Sequence, residues 1–313
     1  MELVTTIIPV YNRAAMLREA VESVVAQTYR PIEIIIVDDG STDDTGAAAD
    51  ALVREHAPFV RALHVEHGGP GPAREAARRV AQGDFVQHLD SDDVLLPRKF
   101  ELQVAALRNA PECGAAYGWT RLRHADGRVE PAPWKRSGER IETMFPSMLT
   151  QRWWDTPTPL YRRSVIDAAG PWSTLSAEED WEYDCRIAAL GVRLAYVPEW
   201  VCEVREHAAA RASGHATPAA LRNRAAAHLS MLDSARRAGL DPASPEMQFF
   251  ARELFHLGRQ CGTAGLADES RALIDAARSI SQARDIRVYQ RVARVIGWRN
   301  AGRMAALRDR LRG

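Results

Sequence analysis

Over its first 110 residues the chain alternates short apolar runs with stretches of helical period, and this alternation restricts the fold more than any other feature. Leu3 to Val10 is a β-branched run stopped at Pro9. Ala14 to Gln27 has a helical period, with Leu17, Val21, Val24 and Val25 on one face. Ile32 to Val37 is unbroken apolar sequence, the mark of a strand covered on both sides. Asp43 to His56 reads as helix with Ser41 or Thr42 as N-cap, Phe59 to Val65 as the third strand and Pro72 to Ala81 as the next helix. Phe85 to Leu89 is the fourth strand, and Pro97 to Asn109 is a helix with proline suited to its first turn. Such βαβα alternation implies an α/β fold, a mostly parallel, Rossmann-like sheet flanked by helices on both faces.

The pattern then changes. Ala115 to Leu122 and Arg128 to Glu130 flank Asp126-Gly127, which predicts a hairpin. Residues 131–160 are rich in Pro and Trp, with a short helix expected near Ile141 to Leu149. Glu178 to Leu190 reads as a helix ended by Gly191. Val192 to Val197 and Trp200 to Val204 read as two strands either side of Pro198. Beyond about His215 no strand signal remains, and four or five helices are expected. At 313 residues the chain has room for one large domain or two modest ones. The division expected is 1–210 for an α/β catalytic domain and 211–313 for an all-helical C-terminal domain.

Lys+Arg and Asp+Glu both number 41. Zero net charge argues against a nucleic-acid partner, which would favour a basic chain. The balance hides an asymmetry: from Arg271 to Gly313 eleven arginines face three aspartates, a net of +8, so the first 270 residues carry −8. Cys113, Cys185, Cys202 and Cys261 form no C-x-x-C pair, so buried free thiols in a reducing compartment are expected. Met1-Glu2 leads directly into strand-like sequence, and no run approaches the ~18 apolar residues of a spanning helix. The expected location is cytoplasmic, at the inner face of the membrane if a membrane is touched at all.

Ligands of open parallel sheets bind beyond the carboxyl ends of the strands. After the first strand stands Pro9-Val10-Tyr11-Asn12-Arg13, after the second Asp38-Asp39-Gly40-Ser41-Thr42-Asp43, after the third His67-Gly68-Gly69-Pro70-Gly71, and after the fourth Asp90-Ser91-Asp92-Asp93. The first loop lacks G-x-G-x-x-G, and no G-x-x-x-x-G-K-[ST] occurs, so dinucleotide and P-loop sites are not indicated. Three carboxylates within Asp90–Asp93 repel one another unless solvent or a cation intervenes. A divalent metal with oxygen ligands is one reading; a solvated acidic turn capping the 97–109 helix is the other.

Taken together and in order, Thr6-Ile7-Ile8-Pro9-Val10-Tyr11-Asn12-Arg13, Val37-Asp38-Asp39-Gly40-Ser41-Thr42-Asp43 and Leu89-Asp90-Ser91-Asp92-Asp93 resemble a family 2 glycosyltransferase over residues 3–207. Gly69-Pro70-Gly71-Pro72-Ala73-Arg74 resembles that family's G-x-x-x-A-R-N helix start, with Glu75 where Asn is usual. The resemblance implies a GT-A fold, a nucleotide-sugar donor (UDP-, dTDP- or GDP-linked), inversion at the anomeric carbon and a divalent cation, Mn²⁺ or Mg²⁺. It assigns Pro9, Tyr11, Asn12, Arg13, Gly71, Arg74 and Ser91 to the nucleotide-sugar site. Asp39 or Asp38 would meet the base, Asp90 the ribose or metal, and Asp92 the metal. Arg205-Glu206-His207 resembles the family's R-x-H, which makes His207 a further metal ligand.

Direct displacement at the anomeric carbon also needs a base for the acceptor hydroxyl. Glu179-Asp180 matches the family's E-D pair at a helix start; Asp180 is the candidate base and Glu179 the alternative. Trp153, Trp154 and Trp181 are candidates to face the acceptor, a saccharide, a lipid-linked sugar or another hydroxyl compound, and core filling is their other reading. In the tail, Arg287, Arg291 and Arg294 share one helix face, and Ile286, Tyr289, Val292, Val295 and Ile296 can form another. Such a face suits an anionic membrane surface, packing against the catalytic domain, or a second subunit in a homo-oligomer. The function expected is glycosyl transfer in cell-surface polysaccharide or other glycoconjugate synthesis. A nucleotidyltransferase and a non-catalytic nucleotide-sugar binding scaffold are the alternatives.

Overall fold

A computed structural model describes residues 1–206 and 217–310. The alternation read from the sequence is present: β1 (Val4–Val10), α1 (Ala14–Val25), β2 (Ile32–Asp38), α2 (Thr45–Glu55), β3 (Val60–His64), α3 (Pro70–Arg78) and β4 (Phe85–His88). β1 is buried at every position and β2 at all but Glu33, whose carboxylate accepts from Thr5 Oγ1 and pairs with Arg61. Then come β5 (Val94–Leu95), α4 (Lys99–Asn109), β6 (Cys113–Arg123), β7 (Leu160–Arg162), α5 (Arg163–Ala169), α6 (Glu179–Ala188) and β8 (Arg193–Arg205).

These strands form one eight-stranded sheet in the order β3-β2-β1-β4-β7-β6-β8-β5. The β3-β2-β1-β4 half is parallel throughout. β7 joins antiparallel to β4 and β6, β6 and β8 run parallel, and β5 is antiparallel to β8, so the sheet is mixed. Pro9 lies inside β1, opposite Val37. Val10 C=O points to β2, where it accepts from Asp39 N, so the N–H that Pro9 lacks would point towards β4. That ladder has already ended with Leu89 N donating to Ile7 O, and no bond is lost.

Three local expectations differ from the structure, and two short strands were not expected. Arg128–Glu130 is not a strand; Asp126-Gly127 is a turn closed by a single bridge from Arg123 to Val129. Near 141–149 there is only a 3₁₀ turn at Ser147–Leu149. The two strands around Pro198 are one, because Val197 pairs with Gly118 and Trp200 with Trp119, which leaves Pro198 and Glu199 in a bulge that requires no ladder N–H. β5 and β7 were not read from the sequence at all.

After β8 the described chain is helical: α7 (Pro218–Arg237), α8 (Pro245–Thr263), α9 (Ala267–Ile280), α10 (Arg284–Ile296) and α11 (Trp298–Arg310). Thr217 caps α7 by accepting from Ala220 N, and Ser244 caps α8 by accepting from Met247 N. The chain divides into two compact units. The first holds Met1–Met144, Arg152–Thr174 and the stretch from Leu190 through β8, with every strand and a core that includes Ile8, Leu17, Val21, Ile34, Phe85 and Phe100. The second holds Phe145–Gln151, Leu175–Ala189 and the helices after β8, with Met231, Phe250, Leu254, Leu273 and Ile286 buried. Thus α6, which precedes the expected boundary at 210, groups with the tail helices.

Candidate functional site

In the first unit the loops beyond β1, β2, β3 and β4 are tied to one another by side chains that the strand-end reading singled out. Asn12 has a left-handed backbone (φ +52°), a conformation Asn tolerates better than most residues. Its N–H donates to Ser41 Oγ at 3.0 Å and its Oδ1 accepts from Thr42 N at 2.8 Å. Arg13 N donates to Thr45 Oγ1 at 2.9 Å. The β1 and β2 loops are therefore held as one piece.

Asp38 and Asp39, alternatives for the base contact, do different structural work. Asp39 is buried, and its two oxygens accept from Gly68 N and Gly69 N, both at 2.9 Å, which fixes the loop after β3. Asp38 accepts from Ser41 N at 3.0 Å and lies 3.1 Å from His64 Nδ1. Burial acts to raise the Asp38 pKa, but the bonds from Ser41 and His64 outweigh it and hold the carboxyl below its ordinary value. Gly40 (φ +69°) lies so close to the β3 loop that a Cβ there would sit 2.8 Å from His67 N. His67 stacks on the Tyr11 ring, with centroids 4.2 Å apart. Sequence reading placed His67 after the third strand but gave it no role; its position beyond a strand end was the available signal.

The acidic turn after β4 is enclosed by arginines. Arg13 pairs with the Asp92 carboxylate, and Arg74 NH2 donates to Asp90 at 2.6 Å. Arg74 is buried, with its guanidinium 4.7 Å from the centre of the Trp172 ring. Arg205 Nε donates to the Asp92 carbonyl at 2.6 Å and its N–H to Asp93 Oδ1 at 3.1 Å. Burial, with Asp92 and Asp90 adding to it, pushes Asp93 well above the usual carboxylate range. Asp93 N donates to Asp90 O at 3.0 Å and closes the turn. Ser91 and Gly71 are buried, Gly71 in the first turn of α3.

Asp90 and Asp92 are partly exposed oxygen donors on a tight turn. That donor set would suit a hard divalent cation, which prefers oxygen ligands. Among the described residues, the group of three metal-capable side chains close enough to share an ion is Glu22, Glu55 and His56 on and just after α1 and α2. It is mostly exposed, and Arg18 pairs with both glutamates. His207 lies outside the described residues.

Glu75 has a physical account. It is buried, pairs with Arg78 at 2.7 Å and Arg79 at 2.9 Å, and accepts from Trp172 N at 3.3 Å, joining α3 to the segment that carries Trp172. Trp153 and Trp154 are 2% and 0% exposed; Arg136 lies over the first ring and Tyr117 against the second. They fill the core beneath residues 131–160. Trp181 is half-buried and donates from Nε1 to Met148 O at 2.8 Å. Glu179 is buried and Asp180 half-buried, both in the first turn of α6. The structure thus brings Tyr11, Asn12, Arg13, Asp38, Asp39, Arg74, Asp90 and Asp92 to the strand ends of the first unit, while Glu179, Asp180 and Trp181 belong to the second.

Two kinds of likeness bear on this arrangement. Glycosyltransferase GlyG of Streptococcus pneumoniae is 42% identical over 101 residues, 32% of this chain and 33% of its own length. The uncharacterised glycosyltransferase YibD of Escherichia coli is 34% identical over 179 residues, 52% of this chain and 49% of its own. The chain therefore spans a third to a half of the curated relatives it matches here. Among solved structures, Staphylococcus aureus TarS 1–349 in complex with UDP superposes with a TM-score of 0.70 at 18% identity, covering 98% of this chain and 92% of that one. The mannosyltransferase PcManGT of Pyrobaculum calidifontis, in complex with GDP-Man and Mn²⁺, gives 0.55 at 20% identity, covering 98% and 87%. At such identities the likeness speaks for the fold, which is the expected GT-A arrangement with C-terminal helices. The model of the Glycosyl transferase family 2 matches residues 5–164, just over half the chain, and the chain belongs to that family.

Proposed function

We propose that this chain transfers a sugar from a nucleoside-diphosphate donor to an acceptor hydroxyl with inversion at the anomeric carbon. The observation that carries the reading is the linkage of the β1, β2 and β4 loops, which gathers Asn12, Arg13, Asp38, Asp39, Asp90 and Asp92 at one end of the parallel strands. That is where such a sheet binds nucleotides. TarS complexes with UDP and UDP-GlcNAc and the PcManGT complex with GDP-Man support a donor of this class.

In this reading the exposed ring of Tyr11 offers a face to the base, and Asp39 or Asp38 accepts from it. Asp39 Oδ2 meets both Gly69 N and His67 Nδ1, whereas Oδ1 accepts from Gly68 N and retains capacity for another donor. Arg13, now paired with Asp92, and Arg205 stand ready for the diphosphate. Asp92, with Asp90 beside it and His207 by resemblance, would hold Mg²⁺ or Mn²⁺. When bound, that ion supplies Lewis-acid compensation for the charge growing on the leaving diphosphate. Asp180, or Glu179 in its place, takes the acceptor proton as that oxygen bonds to C1 and the C1–phosphate oxygen bond breaks. The assignment of the base rests on the family resemblance. We place the acceptor among saccharides and lipid-linked sugars of cell-surface glycoconjugates, and a peripheral membrane contact on α10 and α11.

Two substitutions test the reading. Asp180→Asn should abolish transfer and metal-dependent release of nucleoside diphosphate while donor binding by calorimetry is retained. Asp92→Ala should weaken donor binding in Mn²⁺ and leave little difference between Mn²⁺ and EDTA. Normal turnover in the first variant removes Asp180 from the mechanism; unchanged metal dependence in the second removes Asp92.

A further inference from the structure

We propose that α7 is a positioning element for the candidate base, acting through Glu178, the residue immediately before α6. The inference rests on the reading of Asp180 as base and gives the helical tail a part in the reaction.

Glu178 is left-handed, with φ +59° and ψ 16°. A glutamate has no local reason to adopt that conformation; such a residue persists where its surroundings over-determine it. The Glu178 side chain makes no capping bond to α6. It is turned instead to two side chains of α7. Arg224 Nε donates to Glu178 Oε1 at 3.0 Å, and His228 Nδ1 lies 3.1 Å from Oε2. Arg224 and His228 are four residues apart and so share a face of α7. With the carboxylate held there, the Glu178 carbonyl accepts from Glu182 N at 2.9 Å and α6 begins.

The clamp is itself immobilised. His228 is buried, its ring stacked 5.6 Å from Phe250 of α8 at an interplanar angle of 3° and edge-on to Trp181 of α6. Its Nδ1 also lies 3.0 Å from Arg224 O, and both neighbours of that nitrogen are acceptors, which assigns the proton to Nδ1. Burial works to raise the Glu178 pKa, but His228 and Arg224 outweigh it and hold the group below its ordinary value. One turn further on, Glu182 repeats the tie: it accepts from Ser230 Oγ of α7 at 2.7 Å and pairs with Arg186 at 2.9 Å. Glu178 and Glu182 are thereby committed to α7. Within α6, Asp180 stands two residues and so roughly 200° around the helix from Glu182, off the face that Glu182 turns to α7. Two anchored glutamates a turn apart fix both the axial position and the rotation of the turn that carries Asp180.

This role separates from ordinary stabilisation at one substitution. Glycine accepts a left-handed backbone without strain, so Glu178→Gly preserves the chain path while deleting the clamp. In the full-length chain, it should retain affinity for the donors tested by calorimetry with Mn²⁺ (UDP-glucose, UDP-GlcNAc, GDP-mannose and dTDP-glucose). Turnover of whichever donor is hydrolysed should fall roughly tenfold to a hundredfold, the scale of a small misplacement of a reacting group. Glu178→Gln, whose amide oxygen still accepts from Arg224, should recover part of that loss. Hydrogen exchange gives a readout independent of donor identity: amides of 179–183 should lose protection in Glu178→Gly while those of mid-α7 do not. Unchanged protection of 179–183, or a kcat equal to that of the unaltered chain, overturns the proposal. If Asp180→Asn is inactive while Glu178→Gly is fully active, only the clamp fails. If Asp180→Asn is active, the base reading fails and the clamp's catalytic role with it.

Discussion

Lys99 opens α4 with its entire side chain buried, donating from Nζ to Gln103 Oε1 at 2.6 Å and Thr158 O at 2.8 Å. Burial lowers its pKa to about 7, against about 10.4 in an unfolded chain. Between those values the unfolded state binds a proton that the folded state does not, so stability rises with pH across the window. Below about pH 7 both states are protonated and the full cost of the buried charge is present. From about pH 6.5 to about pH 9 this group should add about 2–3 kcal/mol to the unfolding free energy. Denaturant titrations at several pH values measure that slope, and Lys99→Met should flatten it. Equal slopes in the two proteins would mean that Lys99 is not titrating from a buried position. Glu75 is a second residue whose meaning is local: in place of an amide at the start of α3, it gathers Arg78, Arg79 and Trp172 N around one buried carboxylate.

Among the elements, α8 and α11 cross at glycines. A Cβ on Gly302 would lie 2.5 Å from Thr263 N and 2.8 Å from Gly262 C, and one on Gly262 would lie 2.8 Å from Trp298 O. The neighbours are backbone atoms, which cannot rotate away. Gly302→Ala should gain up to about 1 kcal/mol in helix propensity and lose about 1–3 kcal/mol to overpacking. The expected net effect is a lower Tm, read by calorimetry; a higher Tm would mean that the two backbones do not meet there. Contacts of this kind explain what the sequence concealed. The period-2 and period-3.6 signals of β1 through α4 are carried by each segment alone, so they could be read. β7 has three residues and β5 two, and their pairing comes from β4, β6 and β8, far away in the chain. Pro198 signalled a break because proline has no N–H, but a bulge absorbs it. The same division holds at the strand ends. Asn12, Asp39 and Asp92 followed from topology and resemblance. Arg74, Arg13 and Arg205 stand 16, 79 and 113 residues from the groups of the acidic turn that they bind, and only the fold shows those pairings.

At the scale of the whole molecule, zero net charge is a sum of opposites, with +8 on the last 43 residues and −8 on the rest. In α10 the excess is sorted by face. Ile286, Tyr289 and Ala293 are buried, while Val288, Val292 and Val295 form an exposed stripe at i, i+4 and i+7, Val295 being 85% exposed. Arg284, Arg287, Arg291 and Arg294 are exposed beside it, and the acid of that helix, Asp285, is already paired with Arg252. On α11, Met304 and Leu307 are exposed with Arg303. Among the described residues no helix is long and apolar enough to cross a membrane, so a bilayer contact here would be with its surface. Valines ringed by arginines match an anionic bilayer, whose headgroups meet the cations and whose acyl boundary meets the apolar stripe. A second copy of the same face would oppose arginine to arginine, and a nucleic acid would leave the valines without a partner. Flotation with vesicles should therefore recover the protein with phosphatidylglycerol-rich membranes and not with phosphatidylcholine alone. Recovery should fall as salt rises from about 0.1 M to about 0.5 M, where screening shortens the reach of the arginines. At about 1 kcal/mol per basic side chain near the surface, Arg287→Glu with Arg291→Glu should weaken binding by roughly tenfold or more. Val295→Asp should weaken it at either salt concentration, because it removes apolar contact rather than charge alone. Equal binding to neutral vesicles, or none to anionic ones, would assign this face to a partner other than lipid.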